Sequence, residues 1–184
     1  MKRHQGTNKA VLVNAVAAVL LIAMPAIAHA GAGAFDKAMQ PILAEYLKIQ
    51  VALAGDTMAG IKTAATTIEK QVAKLDVGSV TGEHAAHYKG IPAKLKAAAA
   101  VLRGTSEIES ARNAFKELSK PLAMWGTMSK PKGIDVVFCS MAKGSWLQKR
   151  GEVRNPYYGA SMLTCGEVVG GDAHRPSGHQ HGGH

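Results

Sequence analysis

Between residues 35 and 128, apolar side chains recur at steps of three and four, the spacing of helices that bury one face. Four helices are predicted. The first runs from about Phe35 to Ala54, with Met39, Ile42, Tyr46, Ile49 and Leu53 on one stripe. Pro41 falls in its opening turns, where a missing N–H costs least. Gly55 ends it, and Asp56 is placed to cap the next helix. The second runs from about Thr57 to Leu75 on Met58, Ile61, Ala65, Ile68, Val72 and Leu75. The third opens at Thr81 or Gly82 and reaches about Arg103, with Tyr88, Ile91, Leu95, Ala98 and Leu102 inward. Gly90 and Pro92 interrupt it, so a kink is expected between Lys89 and Pro92. Gly104 stops it. The fourth opens on a capping box, Ser106 with Glu109, and buries Ile108, Ala111, Phe115, Leu118 and Leu122. Pro121 kinks or ends it.

Four amphipathic helices joined by short turns pack most simply as an up-down four-helix bundle. The expected fold class is therefore mainly α, with a bundle over 31–129 and a small loop- and β-rich lobe over 130–169 on one end. The texture changes at Lys130. Pro131 and Gly133 break the chain, and Ile134 to Phe138 form a short β-like run that ends at Cys139. Lys143-Gly144 and Asn155-Pro156 read as turns, and Val168-Val169 as a second short strand. Residues 170–184 are Gly, His, Arg, Pro and Ser with almost nothing apolar, the composition of a disordered tail.

The N-terminus adds a compartment. Lys2, Arg3 and Lys9 precede an apolar run from Val16 to Met24 and a small-x-small Ala28-His29-Ala30. That order reads as a secretory signal peptide over 1–30, cleaved after Ala30, leaving no membrane span. An uncleaved anchor is the other reading. A periplasmic location is expected. Beyond residue 30 the formal charge is +6, from nineteen Lys and Arg against thirteen acidic residues. The lysines are scattered along the helices rather than clustered, so they read as solvated faces and not as a nucleic-acid surface.

The chemistry concentrates between Cys139 and Cys165, the only cysteines of the chain. Met141 follows the first by two residues and Met162 precedes the second by three. Thiolate and thioether sulfurs select soft ions, Cu(I) above all. The same two cysteines in an exported protein can instead form a disulfide, worth about 3 kcal/mol in the chain-entropy account. Spacing does not separate the two readings. His174, His179, His181 and His184 in the tail suit Cu(II), Ni(II) or Zn(II) and can collect metal for the sulfur site. His84 and His87, on consecutive turns of the third helix, are further candidate ligands if that helix starts beside the sulfur lobe. Otherwise they are hydrogen-bonded helix-end residues. Paired carboxylates, a nucleophile elbow and a phosphate loop are all missing, so an enzyme is not expected.

Cys139-Ser140-Met141-Ala142, Trp146-Leu147, Val153-Arg154-Asn155-Pro156-Tyr157-Tyr158-Gly159 and Met162-Leu163-Thr164-Cys165-Gly166 together resemble the C-terminal signature of a bacterial periplasmic family of unknown function, DUF3347-like. Some members of that family are fused to adaptors of CusB-type heavy-metal efflux systems. The resemblance implies periplasmic copper or silver handling, with Cys139, Met141, Met162 and Cys165 as ligands and an efflux adaptor as partner. It also implies Trp146, Asn155, Pro156, Tyr157 and Gly159 as shapers of the site. Ser140 stands where the family has proline, which loosens the backbone between Cys139 and Met141.

Overall fold

Residues 1, 30–78, 80 and 85–171 are described by the computed structural model. The signal-peptide reading, His84 and the four tail histidines lie outside them. Among the described residues, five α-helices are followed by three strands: α1 Ala30–Ala54, α2 Ile61–Val72, α3 Ala85–Lys89, α4 Ile91–Arg103 and α5 Ile108–Ser129, then β1 Ile134–Cys139, β2 Gly144–Lys149 and β3 Glu167–Gly171. A one-turn 3-10 helix, Gly159–Met162, precedes β3. The protein is mainly helical, with a small antiparallel sheet at its C-terminal side.

The apolar stripes read from the sequence are the core. Met39, Ile42, Tyr46, Ile49 and Leu53 of α1 are buried, as are Ile61, Ala65, Ile68 and Val72 of α2, Tyr88 of α3, Ile91, Leu95, Ala98 and Leu102 of α4, and Ala111, Phe115, Leu118 and Leu122 of α5. Helix α1 packs on α2, α2 on α4, α4 on α5, and α5 back on α1. Side-chain bonds fix the relative direction of α1 and α5. Asp36 near the start of α1 accepts from Trp125 Nε1 (2.7 Å) and Ser129 Oγ (2.5 Å) near the end of α5, while Leu53 near the end of α1 meets Arg112 near the start of α5. The two helices are antiparallel.

Several boundaries differ from expectation, each for a local reason. Helix α1 begins at Ala30, so Pro41 sits inside it rather than in its opening turns. The third helix is two, α3 and α4, divided at Gly90; Pro92 then lies in the first turn of α4, where its lost N–H is tolerated. Pro121 lies within α5 and does not end it. The capping box at Ser106 does not form: Glu107 is the cap residue and makes no side-chain cap bond. Asp56 does not cap α2, which starts at Ile61 after a left-handed Gly60. Gly170 and Gly171, read as tail, are buried and close β3.

The sheet has the order β2-β1-β3, with both neighbours antiparallel to β1. Strands β1 and β2 form a hairpin in which Cys139 faces Gly144 across a four-residue loop. The sheet lies against α5 so closely that a Cβ on Gly126 would meet Leu147 Cδ2 at 2.6 Å. Glycine there lets backbone and sheet approach. At the centre of this contact, the Tyr46 hydroxyl of α1 meets Ser119 Oγ of α5 at 2.8 Å and accepts from the Leu147 N–H of β2 at 3.1 Å. Burial pushes its pKa well up, so it stays a phenol. Tyr46 also stacks on Phe115, ring centroids 4.8 Å apart.

Tyr46→Phe keeps the ring and strands two buried groups, the Leu147 N–H and the Ser119 hydroxyl. It is expected to destabilise the fold by about 1–3 kcal/mol, read as a lower urea midpoint with unchanged slope.

Candidate functional site: two cysteines on a strand and a loop

Cys139 is the last residue of the central strand β1, and its side chain is 1% exposed. Cys165 is half-buried in the loop between the 3-10 turn and β3. Their Sγ atoms are 2.8 Å apart, so the fold returns the chain as the sulfur chemistry requires. Both are free cysteines.

The two thiols differ. Around Cys139, burial raises the pKa, but hydrogen bonds from Cys165, from the Ala142 and Met141 N–H groups of the hairpin loop and from the Asn155 amide outweigh it, and the net shift is downward. The Ala142 N–H lies 3.4 Å from Cys139 Sγ. Cys165 is shifted upward, first because it donates its proton to Cys139, then by burial and by the charge on Cys139. The favoured first ionisation is therefore a Cys139 thiolate holding a Cys165 thiol.

A ring of hydrogen bonds fixes the loops around the pair. Asn155, fully buried, donates through Nδ2 to the Cys165 carbonyl (2.8 Å), accepts the Tyr157 N–H on Oδ1 (2.8 Å) and donates its own N–H to Leu163 O (2.7 Å). The Tyr157 hydroxyl donates to Ser145 O of β2 at 2.6 Å, and burial keeps that hydroxyl protonated. Its ring meets Trp146 edge-on at 5.6 Å. Trp146 lies beneath the cysteine loop: a Cβ on Gly166 would meet its Cη2 at 2.7 Å, and Gly166 has φ +148, a backbone region favouring glycine. Gln148, also buried, accepts from Trp146 Nε1 and from the Arg154 N–H, both at 3.1 Å, and so closes the loop after β2.

Met141 is exposed on the hairpin loop, and Met162 is half-buried at the end of the 3-10 turn. The Tyr158 hydroxyl donates to Met141 O at 3.2 Å and joins the two methionine-bearing segments. His87 is elsewhere. It precedes Tyr88, whose hydroxyl meets Ser129 Oγ (3.0 Å) at the end of α5, whereas Lys116, thirteen residues earlier on α5, donates to Ala142 O beside the sulfurs. Thirteen helical residues span about 20 Å, so α3 is at the opposite end of the molecule from Cys139. Among the described residues no three His, Cys, Asp or Glu side chains converge. What the fold brings together is two cysteine sulfurs, with methionines on the adjoining loops.

The sequence reading missed three residues that hold the lobe to the helices. Arg112 of α5 donates to Leu53 O (3.1 Å) and Pro156 O (3.2 Å), and its guanidinium pairs with Asp56. Asp56, at φ +56 in the turn after α1, also accepts the Ala160 N–H at 2.9 Å. Gly159, at φ +57, packs directly on this pair, and a Cβ there would collide with Asp56 Oδ1 and the Arg112 guanidinium. Lys116 is the third. One lysine or arginine on a polar helix face carries no signal in sequence; Asp56 did, as a helix-start residue, and its role is different.

The Ala160 N–H first, and Arg112 next, hold the Asp56 carboxyl below its usual range. A depressed carboxylate stabilises the fold above the unfolded value, about 3.9, and loses that contribution as pH falls through the folded value. Asp56→Asn is therefore expected to lower the melting temperature at pH 6–7, with the gap to the parent closing below about pH 4. Melting curves over that range check it; a gap independent of pH would remove the ion pair from the account.

Residues 42–132 match the family model described as a protein of unknown function, DUF3347. The match covers the helices from Ile42 onward and ends at Lys132, ahead of Cys139, so it rests on the helices and not on the C-terminal signature. No curated protein and no solved structure matches the chain. Over residues 42–132, the chain is thus similar to the DUF3347 family.

Proposed function

We propose that the protein is a periplasmic binding protein for a soft metal ion, Cu(I) or Ag(I), acting as a carrier, buffer or accessory of heavy-metal efflux and not as a catalyst. The helices, which we read as an up-down scaffold, would serve to present the C-terminal lobe. The observation that carries the reading is the contact of Cys139 and Cys165 Sγ at 2.8 Å, with a hairpin N–H directed at the Cys139 sulfur. A thiolate is the metal-binding form of cysteine, and this arrangement favours it. Met141, exposed at the hairpin tip, and Met162 are the thioethers available to add to it.

The pair must open to accept an ion. Metal–thiolate bonds of about 2.3 Å require sulfurs farther apart than these. Cys165 is the partner able to move, because it is on a loop next to Gly166, whereas Cys139 is fixed in the central strand. The second reading is a structural disulfide in an envelope interaction module. The same short contact and the burial of Cys139 favour it.

Titration of the reduced chain with Cu(I) against a competing chelator tests the choice. One tightly held equivalent is expected, with Cys139→Ser or Cys165→Ser lowering affinity on the order of 100-fold or more, beyond the usual effect of a residue that only orients a ligand. Truncation after Gly171, which keeps β3, should cost less than about tenfold. No competition with the chelator, or equal losses from the serine variants and the truncation, would overturn the metal reading.

A further inference from the structure

We infer that Cys139 and Cys165 are a reversible thiol–disulfide couple with a fixed polarity: an incoming thiolate enters at the Cys165 sulfur, and the Cys139 sulfur leaves. Gating of metal uptake by this couple rests on the proposed metal-binding role; the exchange chemistry does not. Three observations carry it. The sulfurs already touch, so little rearrangement separates dithiol from disulfide. Access is one-sided, since Cys139 is 1% exposed at the end of a strand paired on both edges while Cys165 is half-exposed on a loop. The Ala142 N–H faces Cys139 Sγ, where it would stabilise negative charge as that sulfur departs.

Exchange proceeds by attack of a thiolate on one sulfur of the disulfide through a mixed disulfide. Here a small thiol, as RS⁻, would form an S–S bond with Cys165 while the Cys139–Cys165 bond breaks and Cys139 leaves with the electron pair as thiolate. A second RS⁻ would attack the R-bearing sulfur, release Cys165 as thiolate and leave RSSR. The protein gains two electrons and two thiols are oxidised. Asn155 grips the Cys165 carbonyl rather than its sulfur, so that anchor is compatible with either state. Only the dithiol offers two sulfur ligands to a soft ion.

The full-length chain equilibrated in glutathione buffers of graded ratio, quenched in acid and alkylated, should show one reversible two-electron transition. During reduction of the oxidised chain, peptide mapping should find glutathione on Cys165 and the alkyl label on Cys139, in about tenfold or greater excess over the reverse pattern. Cys139→Ser should capture glutathione from its disulfide at Cys165 faster than Cys165→Ser does at Cys139; if either variant fails to fold, the mapping on the parent chain decides alone. Glutathione on Cys139, thiols that remain alkylatable in every buffer, or a disulfide that excess thiol cannot reduce without denaturant would each overturn the inference. Chelator competition with Cu(I) is then run on both redox forms. Binding by the reduced form alone supports gating, and equal binding by both overturns it. A chain that exchanges as described yet binds no Cu(I) when reduced defeats the metal reading and leaves the couple standing.

Discussion

One guanidinium holds the lobe to the helices. Arg112 bonds the last turn of α1 through Leu53 O, the following turn through Asp56, and the Asn155–Tyr157 loop through Pro156 O. A planar fork of several donors is pre-organised to bond a carboxylate and two carbonyls together. The rest of the site hangs from that junction. Pro156 follows Asn155, which binds the cysteine loop, and Gly159 packs so closely on the ion pair that a Cβ there would collide with it. Lys116 lies one helical turn further along, on Ala142 O, and Ser119 another turn on, at the Tyr46 hydroxyl. Steps of four and three put Arg112, Lys116 and Ser119 on one face of α5, so a polar stripe beside the apolar one positions the C-terminal lobe.

That stripe also explains what was legible in the sequence. Apolar periodicity reports burial, and every apolar residue it placed within a described helix is in the core or packed against it. It says nothing about which polar residues are buried by partners, so Lys116 was read with the other lysines as a solvated face, and Arg112 and Ser119 carried no signal. Strand β2 was missed for a related reason. Gly144, Trp146, Leu147 and Gln148 are all buried, so the strand shows no in-and-out alternation, and its first residue looked like part of a turn. The 3.6 period located the helices but not their ends, because the ends depend on caps and turns that tertiary partners can override: Asp56 had a better partner in Arg112 than in the first turn of α2. The cysteine pairing was legible as a possibility, and the asymmetry between the two sulfurs was not, since it comes from a hairpin N–H and from differing access.

The site thus pairs a buried sulfur on a strand with a more accessible one on a loop. Cys139 ends the middle strand of the sheet, with hydrogen-bonded neighbours on both sides and α5 behind it. Cys165 is held through its carbonyl, by Asn155, and through its own N–H, which reaches Met162 O at 3.0 Å. Its sulfur is left to the loop. With one sulfur on the sheet and the other on a loop, a change of separation would leave the strand pairing intact, which both proposed chemistries require.

The irregularity in β3 has its own consequence. The β1–β3 register shifts at Val136/Val137, and the strand ends in two buried glycines. Five residues, bent by a bulge and carrying Val169 outward, make a poor template for another chain to extend, because a template strand has to be long, flat and regular. The β3 edge of the sheet is in this way protected against the sheet-to-sheet growth that a regular exposed strand invites.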